Sequence, residues 1–450
     1  MSTTEIGSTP VGRHTAAARL DRLPIGSFHR RIMWLLAYIF FFELGDLNTF
    51  AFAAPAIRIA WKLSIPTIGF ITSAAFIGMF VGATSGGWFS DQIGRKKALI
   101  ITTIWYSGFS LLNAFVWNTA GLFITRLLTG MGLSAMTVIG ITYISEMFPA
   151  KRRGSYQGWV MTIGLLGIPI TAHVAEYLIP AASYGWRLVF IWGSLGLFFV
   201  FFTPMLEESP RWYENRGRLA EADAVLDRIE ARLQAEAGPL PPVPDIPPAP
   251  PRRGNYAELF APDVRSRTFL LILAWIFQTL GFYGFMAWVP TLLVAHGFSL
   301  VKSLAWTATI HFGAPLGAII AALISDRWER KWSITVVSLV IAFCGLMYGT
   351  TFKTLTIIIF GFSVSMFIQT FAPLLYAYTP ECYPTKIRNS GSGLGYGIGR
   401  LANAFGPLIV AFLFTHYGYE SVFIYIAATW VAVAIIVGIF GPKTRGKTLV

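Results

Sequence analysis

The sequence is poor in charged residues and in cysteine. Only 13% of its 450 residues are charged, whereas 55% are hydrophobic and the mean hydropathy is positive. A soluble chain carries about 25% charged residues. The composition therefore excludes an ordinary soluble fold and predicts a multi-pass protein embedded in a lipid bilayer. The two cysteines, Cys344 and Cys382, supply neither a disulfide framework nor a metal-ligand spacing.

Other missing features limit the function. The chain has no G-x-x-x-x-G-K-[ST] loop, which argues against ATP as the energy source. It shows no nucleophile–base arrangement and no metal constellation, so we predict no enzyme activity, no cofactor and no bound metal. Residues 1–31 lack an apolar core followed by a cleavage site, so we expect no secretory signal; the first span serves as its own insertion signal.

Twelve stretches reach the length of about 20 largely apolar residues that a membrane helix needs. Numbered in chain order, they lie near 32–56, 66–89, 98–117, 120–145, 155–179, 186–206, 268–295, 304–325, 332–351, 355–377, 392–415 and 420–440. The predicted organisation is an N-terminal tail (1–31), a six-helix bundle (32–206), a linker (207–267), a second six-helix bundle (268–440) and a C-terminal tail (441–450). The linker contains a short amphipathic helix from Leu219 to Leu233 and a proline-rich spacer at 238–251.

The chain repeats itself at a fixed offset. GMFVGATSGGWFSDQIGRKK from Gly78 matches GAPLGAIIAALISDRWERK from Gly313, 235 positions later. YISEMFPAKRRG from Tyr143 matches YTPECYPTKIRN from Tyr378 at the same offset. Two motifs at one offset indicate a duplicated chain. We therefore predict an all-α membrane protein of twelve transmembrane helices in two pseudo-symmetric six-helix bundles.

The basic residues predict the orientation. Of 35 Lys and Arg residues, five lie in one set of loops and two, Arg126 and Arg400, lie inside predicted spans. The other 28 lie in the tails, the linker and the loops after helices 2, 4, 8 and 10. Because basic loops stay in the cytoplasm, both termini and the linker are expected there. This placement also excludes a nucleic-acid-binding face, although the net charge is +13.

Several segments resemble the major facilitator superfamily. GWFSDQIGRKK at 87–97 is similar to its loop between helices 2 and 3, RLLTGMG from Arg126 to its helix-4 motif, and the glycines and prolines of helices 5 and 11 to its glycine–proline motif. EESPRW at 207–212 and PKTRGKTL at 442–449 resemble segments of sugar-porter-like members. The resemblance covers the chain outside the N-terminal tail and the proline spacer, and it implies parallel repeats with a substrate site near the bilayer midplane.

Helix 1 resembles a narrower group. Glu43-Leu44-Gly45-Asp46, nine residues before Pro55, is similar to the D-G-x-D segment of aromatic-acid:proton and related metabolite:proton symporters, with Glu in the first position and the glycine displaced by one. Helix 7 reads FQTLGFYGFMAWVP and keeps only Gln278 of the polar set with which sugar porters bind hydroxyls. The resemblance therefore favours an organic acid over a hexose.

The proton-coupling candidates are Asp46, Glu43 and Arg126. The two acids lie about one turn apart on one face of helix 1. A carboxylate is costly to bury in a membrane helix, so such residues usually act in an aqueous cavity. We predict that Asp46 carries the proton and that its protonation releases Arg126, because the resemblance implies a helix-1 acid paired with a helix-4 arginine. A static buried pair that serves assembly is the alternative.

Other polar and aromatic residues of the spans are substrate-binding candidates. A guanidinium matches a carboxylate in two-point geometry, so Arg400 is expected to bind a substrate carboxylate, or else to brace the cytoplasmic gate. Packing is the alternative role for the remaining candidates. These candidates are Gln278, Tyr283, Trp288, His311 and Asn403.

Charged residues repeat at the predicted cytoplasmic ends of helices 2, 4, 8 and 10. Acids recur there at the same offset as the cations, which a purely topological role for the cations does not explain. We predict that opposite charges on the two halves latch the cytoplasmic side shut and separate as it opens. They are Asp91, Arg95, Glu146 and Arg153, with Asp326, Arg330, Glu381 and Arg388 in the second half.

These features predict a secondary active transporter that works by alternating access. We expect proton-coupled uptake of a small organic acid, with an aromatic carboxylate favoured, by a monomer in the bacterial inner membrane. A sugar, polyol or other metabolite carried by a uniporter or exporter of the same fold is the alternative within this class. A solute sensor that does not transport is the alternative from another class.

Overall fold

The computed structural model describes residues 14–244, 256–324, 328–384 and 387–444, and these ranges are almost entirely helical. In the N-terminal half, helices 1–6 span Ser27–Trp61, Ile65–Ile93, Arg95–Asn113, Thr119–Met147, Ala150–Ala181 and Gly185–Met205. In the C-terminal half, helices 7–12 span Arg265–Ala295 (interrupted between Met286 and Val289), Leu300–Ile324, Arg330–Thr350, Thr354–Glu381, Arg388–Tyr417 (interrupted between Asn403 and Gly406) and Tyr419–Phe440.

Eleven of these helices, counted within the described ranges, are long and apolar enough to cross a membrane. Helix 3 is not among them, because Arg95, Lys96 and Lys97 occupy its first turn. It nevertheless packs along helix 4 and helix 6 as a member of the first bundle. The predicted all-α fold of twelve helices in two bundles is confirmed.

The two halves repeat the same close helix contact. Helix 2 packs on helix 4, and helix 8 packs on helix 10. A Cβ atom on Gly82 would lie 2.8 Å from the carbonyl carbon of Met131, and one on Gly317 would lie 2.9 Å from that of Met366. Glycine is required at both positions because the backbones touch there. Each glycine and its partner are 235 positions from their equivalents, so the duplication extends to the packing.

Three helix pairs make the most extensive contacts between the described parts of the two halves. Helix 1 packs against the Val289–Ala295 segment of helix 7, helix 2 against helix 11, and helix 5 against helix 8. The rings of Phe76 in helix 2 and Tyr283 in helix 7 also meet across the halves, edge to face, with centroids 4.7 Å apart. The cleft described below therefore lies between elements of both halves.

The N-terminal segment and the linker form a charged layer at one face of the bundle, called here the basic side. It is the face at which helix 1 begins and helices 2, 4 and 6 end. A short helix, Ala16–Asp21, places Arg19 against Asp223, Asp227 and Glu230 of the linker helix Leu219–Ala237, with N···O distances of 3.2, 2.6 and 2.8 Å. The linker helix lies where the sequence predicts an amphipathic element, and it buries its apolar face. Most of the proline-rich spacer lies outside the described residues.

Glu230 is the centre of this layer. Its carboxylate forms ion pairs with Arg19 at 2.8 Å and with Arg22 at 2.9 Å. Burial alone would raise the pKa of Glu230, but the hydrogen bonds from the two arginines outweigh burial and hold the pKa below its ordinary 4.5. The layer is therefore strongest when Glu230 is ionised.

Candidate functional site

Both acids of helix 1 are buried. Asp46 is 0% exposed and Glu43 is 3% exposed. One oxygen of Asp46, Oδ1, accepts from Ser110 Oγ at 2.5 Å and from Thr49 Oγ1 at 3.1 Å. Oε1 of Glu43 accepts from Thr137 Oγ1 at 2.8 Å. The second oxygen of each carboxyl group has no hydrogen-bond partner in the described part of the chain, so each group keeps one position free for a proton.

Arg126 lies deep in helix 4 and is 2% exposed. No described residue forms a hydrogen bond with it or an ion pair within 4.0 Å, and its Nε and Nη1 are buried without a partner. Its guanidinium carbon lies 5.4 Å from the centre of the Phe50 ring. Its charge acts on Asp46 across a gap longer than an ion pair. The structure thus brings Asp46 and Arg126 into one site without the direct pairing expected from the sequence.

Arg400 in helix 11 is held by phenol groups. Its Nε and Nη2 donate to the hydroxyl oxygen of Tyr396 at 2.9 and 2.6 Å, and its Nη1 donates to that of Tyr283 at 3.2 Å. Nη1 also lies 4.0 Å from Met79 Sδ in helix 2, so Arg400 contacts the other half. Its charge acts on Glu43. The two intramembrane arginines therefore differ, since Arg400 is hydrogen-bonded and Arg126 is not.

A cleft between helices 1, 2, 4 and 7 has Arg126 in its lining. It contains about 340 Å3 of empty space, part of it continuous with solvent. Arg126 supplies the one charge among the lining residues, and aromatic rings supply three of its walls. Polar groups at the cleft are Asn48 and Thr72; the aromatic residues are Phe50, Phe76 and Tyr283.

Four of the predicted substrate-binding residues are buried outside this lining. Gln278 donates from Nε2 to Thr279 Oγ1 at 2.5 Å, within helix 7. Trp288, Asn403 and His311 have side-chain nitrogens or oxygens with no partner among the described residues. His311 lies edge-on to Phe52 of helix 1, with ring centres 5.5 Å apart. Of the six predicted residues, the structure places only Tyr283 in the cleft wall and Arg400 against it.

The predicted latch residues of the first half form one cluster. Arg95 donates from Nε and Nη2 to the Glu146 carboxylate at 2.9–3.1 Å, and from Nη1 to Asp91 at 2.7 Å. Its Nη1 also donates to the carbonyl of Ser90 at 3.1 Å. Arg153 is half-buried at the start of helix 5 and pairs with no described acid. The cluster joins helices 2, 3 and 4 of the same half.

The second half repeats this arrangement. Arg330 forms an ion pair with Glu381, which is the equivalent of Arg95 with Glu146. Arg388 begins helix 11, and Asp326 lies outside the described residues. Tyr143 donates its hydroxyl to the carbonyl of Glu207 at 2.6 Å, and Tyr378 donates to that of Pro442 at 2.9 Å. The ion pairs that the structure describes among the predicted latch residues therefore brace each half internally.

Sequence reasoning missed several residues of the site. Tyr396 stands four positions before Arg400, a spacing that places the two side chains on one helix face. Ser110 and Thr137 are polar residues within apolar spans, which is a detectable but common signal. Phe50 and Phe76 had no distinguishing signal, because aromatic residues make up 15% of the chain.

The comparisons with known proteins agree with this structure. Residues 31–450 match the model of the family described as sugar (and other) transporter. YyaJ of Bacillus subtilis (strain 168), described only provisionally as a metabolite transport protein, is 46% identical over 96% of this chain and 97% of its own. The niacin transporter NiaP of Acinetobacter baylyi is 30% identical over 96% and 98%. The xylose transporter XylE of E. coli, in a partially occluded inward-open conformation, has the same fold, with a TM-score of 0.75, 19% identity and coverage of 94% and 100%.

The family match and the transporter relatives make this chain a membrane transport protein. It belongs to the family described as sugar (and other) transporter.

Proposed function

We propose that the protein imports a small organic acid together with protons, by alternating access, and that the substrate is an aromatic carboxylate. The observation that carries the proposal is a set of four ionisable groups buried within the helices. Two of them, Asp46 and Glu43, each keep one carboxyl oxygen without a partner. The other two, Arg126 and Arg400, supply positive charge to the same region.

The proton is carried by Asp46, with Glu43 as a second site. A buried carboxylate without a full set of hydrogen bonds is costly in a membrane, and a proton removes that cost. Neutral Asp46 no longer attracts Arg126, so protonation changes the balance of charge inside the first half. A ligand or proton shifts a conformational equilibrium only through such a differential interaction.

Support for the substrate class comes from the relatives. NiaP of Acinetobacter baylyi is described as a niacin transporter, and a Pseudomonas putida relative, 29% identical over 87% of this chain, as a gallate transporter. Niacin and gallate are both carboxylates on a six-membered aromatic ring. The aromatic walls and the positive charge of the cleft suit this shared chemistry.

The orientation follows from the basic side of the molecule. We propose that the tails and the linker lie in the cytoplasm of a bacterial cell, because basic loops stay there, and that the chain spans the inner membrane. The charge clusters at this side brace each half, so that each half moves as one body while the cleft changes the side to which it opens.

Uptake into proteoliposomes tests the proposal. An inward proton gradient is expected to drive accumulation of nicotinate or benzoate by the full-length protein. Asp46→Asn abolishes accumulation but spares exchange of substrate for substrate, because exchange needs no net proton movement. Asp263→Asn, at an exposed acid of the linker, is the control and is expected to keep accumulation.

Other outcomes separate the alternatives. Uptake that ignores the proton gradient would contradict symport and favour a uniporter. Accumulation of xylose or a polyol in place of both acids would contradict the substrate class. Binding of an acid with no flux in either direction would favour a sensor.

A further inference from the structure

We propose that Arg126, rather than Arg400, binds the substrate carboxylate, and that the aromatic ring lies against Phe50, Phe76 and Tyr283 in the cleft. This inference rests on the proposed function and specifies its binding site. It is carried by the difference between the two arginines.

Arg126 is a buried cation that lacks a counter-ion among the described residues. It is 2% exposed and has no hydrogen bond or ion pair with a described residue. A buried charge is strongly unfavourable unless a partner compensates it. Because Nε and Nη1 are both without acceptors, the guanidinium offers donors to an incoming carboxylate.

Asp46 does not act as the counter-ion of Arg126 in this conformation. Its Oδ1 is taken by Ser110 and Thr49, and it forms no ion pair with Arg126 within 4.0 Å. Helix 6 approaches closely at Gly193, where a Cβ would lie 3.0 Å from Asp46 Cγ, so the carboxyl group has little room to turn. Asp46 and Arg126 therefore interact through space, and the guanidinium keeps its donors.

Arg400 has fewer free hydrogen-bond donors for a carboxylate than Arg126 has. Its Nε and Nη2, the pair of donors that a two-point contact would use, both point at the hydroxyl of Tyr396. Its Nη1 is bonded to Tyr283. A carboxylate would have to displace two phenol groups to bind it. We assign Arg400 to positioning Tyr283, which forms one wall of the cleft.

The aromatic walls specify the rest of the ligand. Phe50 belongs to helix 1 and Phe76 to helix 2, whereas Tyr283 belongs to helix 7 in the other half. Phe76 and Tyr283 already contact each other edge to face. A flat ring bound beside Arg126 touches both halves, so occupancy of the site changes the contact between them. This gives substrate binding a direct route to the conformational change.

Equilibrium binding to the purified full-length protein tests the assignment. The probes are nicotinate and benzoate, followed by intrinsic tryptophan fluorescence without any gradient. Arg126→Lys and Arg126→Gln are expected to weaken binding by about ten- to hundredfold, the range for a lost hydrogen bond to a charged group. Arg400→Lys is expected to lose less than Arg126→Lys. Nicotinamide, which has the same ring without the charge, is expected to bind the wild type and Arg126→Gln equally weakly.

The comparison of variants decides the result. Thermal unfolding of each variant confirms that it is folded, and Lys353→Gln at the opposite membrane face is the control. Wild-type affinity in both Arg126 variants, or a larger loss in Arg400→Lys, would overturn the assignment. The same holds if the wild type binds neither acid. If uptake does not depend on the proton gradient but binding depends on Arg126, proton symport is contradicted while the assignment of Arg126 to the substrate carboxylate is supported.

Discussion

Replacing Gly82 by alanine tests the helix contact on which the first half is built. The added Cβ would lie 2.8 Å from the carbonyl carbon of Met131 and nearer still to its oxygen. Two non-bonded carbon atoms attract each other only at separations of about 3.5 Å or more, so helices 2 and 4 must separate by roughly 0.7 Å or more. Overpacking of this kind costs about 1–3 kcal/mol. Because backbone atoms cannot rotate away as a side chain can, we expect the upper end of that range.

Thermal unfolding in detergent measures the effect. Gly87, one turn further along the same helix, is the matched control, since a Cβ there meets nothing within 4 Å. Gly87→Ala is expected to stabilise by up to about 1 kcal/mol through helix propensity. Gly317→Ala, at the equivalent contact with Met366, is expected to destabilise as Gly82→Ala does. Equal unfolding temperatures for Gly82→Ala and Gly87→Ala would refute the close contact.

Two further predictions concern the basic side. Arg95→Met leaves the Glu146 carboxylate without its hydrogen-bond donors and is expected to destabilise the fold by about 1–3 kcal/mol. Thermal unfolding compares this variant with Lys97→Met, a substitution at an exposed neighbour. Equal unfolding temperatures of the two variants would contradict the prediction. Because folding lowers the pKa of Glu230, the stability contributed by its ion pairs is present above pH 4.5 and is lost as the pH falls through the folded-state pKa. Fluorophores on the N-terminal helix and the linker helix are therefore expected to separate on acidification, whereas Arg19→Gln separates them at neutral pH. A distance that stays constant below pH 4.5 would contradict the second prediction.

The duplication was predictable from the sequence because it depends only on a fixed offset along the chain. The edges of the spans were less accurate. Helix 1 was predicted at 32–56 and extends over Ser27–Trp61, while helix 3 was predicted at 98–117 and is Arg95–Asn113. Hydropathy locates the apolar stretch, whereas the hydrogen-bonded helix continues through polar turns on the basic side.

The charged site was predictable in its members but not in its contacts. The sequence indicates that Asp46 and Arg126 lie within helices 1 and 4, and the structure places them in one site. Whether they pair depends on the rotation of each helix about its axis, which hydropathy does not encode. Serine and threonine hydroxyls take the place of the expected cation at Asp46. The latch was expected to join the halves, and its described ion pairs instead lie within each half.

The two tyrosine contacts at the basic side bear on the origin of the chain. Tyr143 ties the end of helix 4 to Glu207, two residues beyond helix 6, and Tyr378 ties helix 10 to Pro442, two residues beyond helix 12. Each half thus closes its own end with its own last residues, next to its own arginine–glutamate pair. A half-length ancestor would have carried the partners for this end before any second copy existed. A fusion of two such halves would need only a segment of chain to connect them.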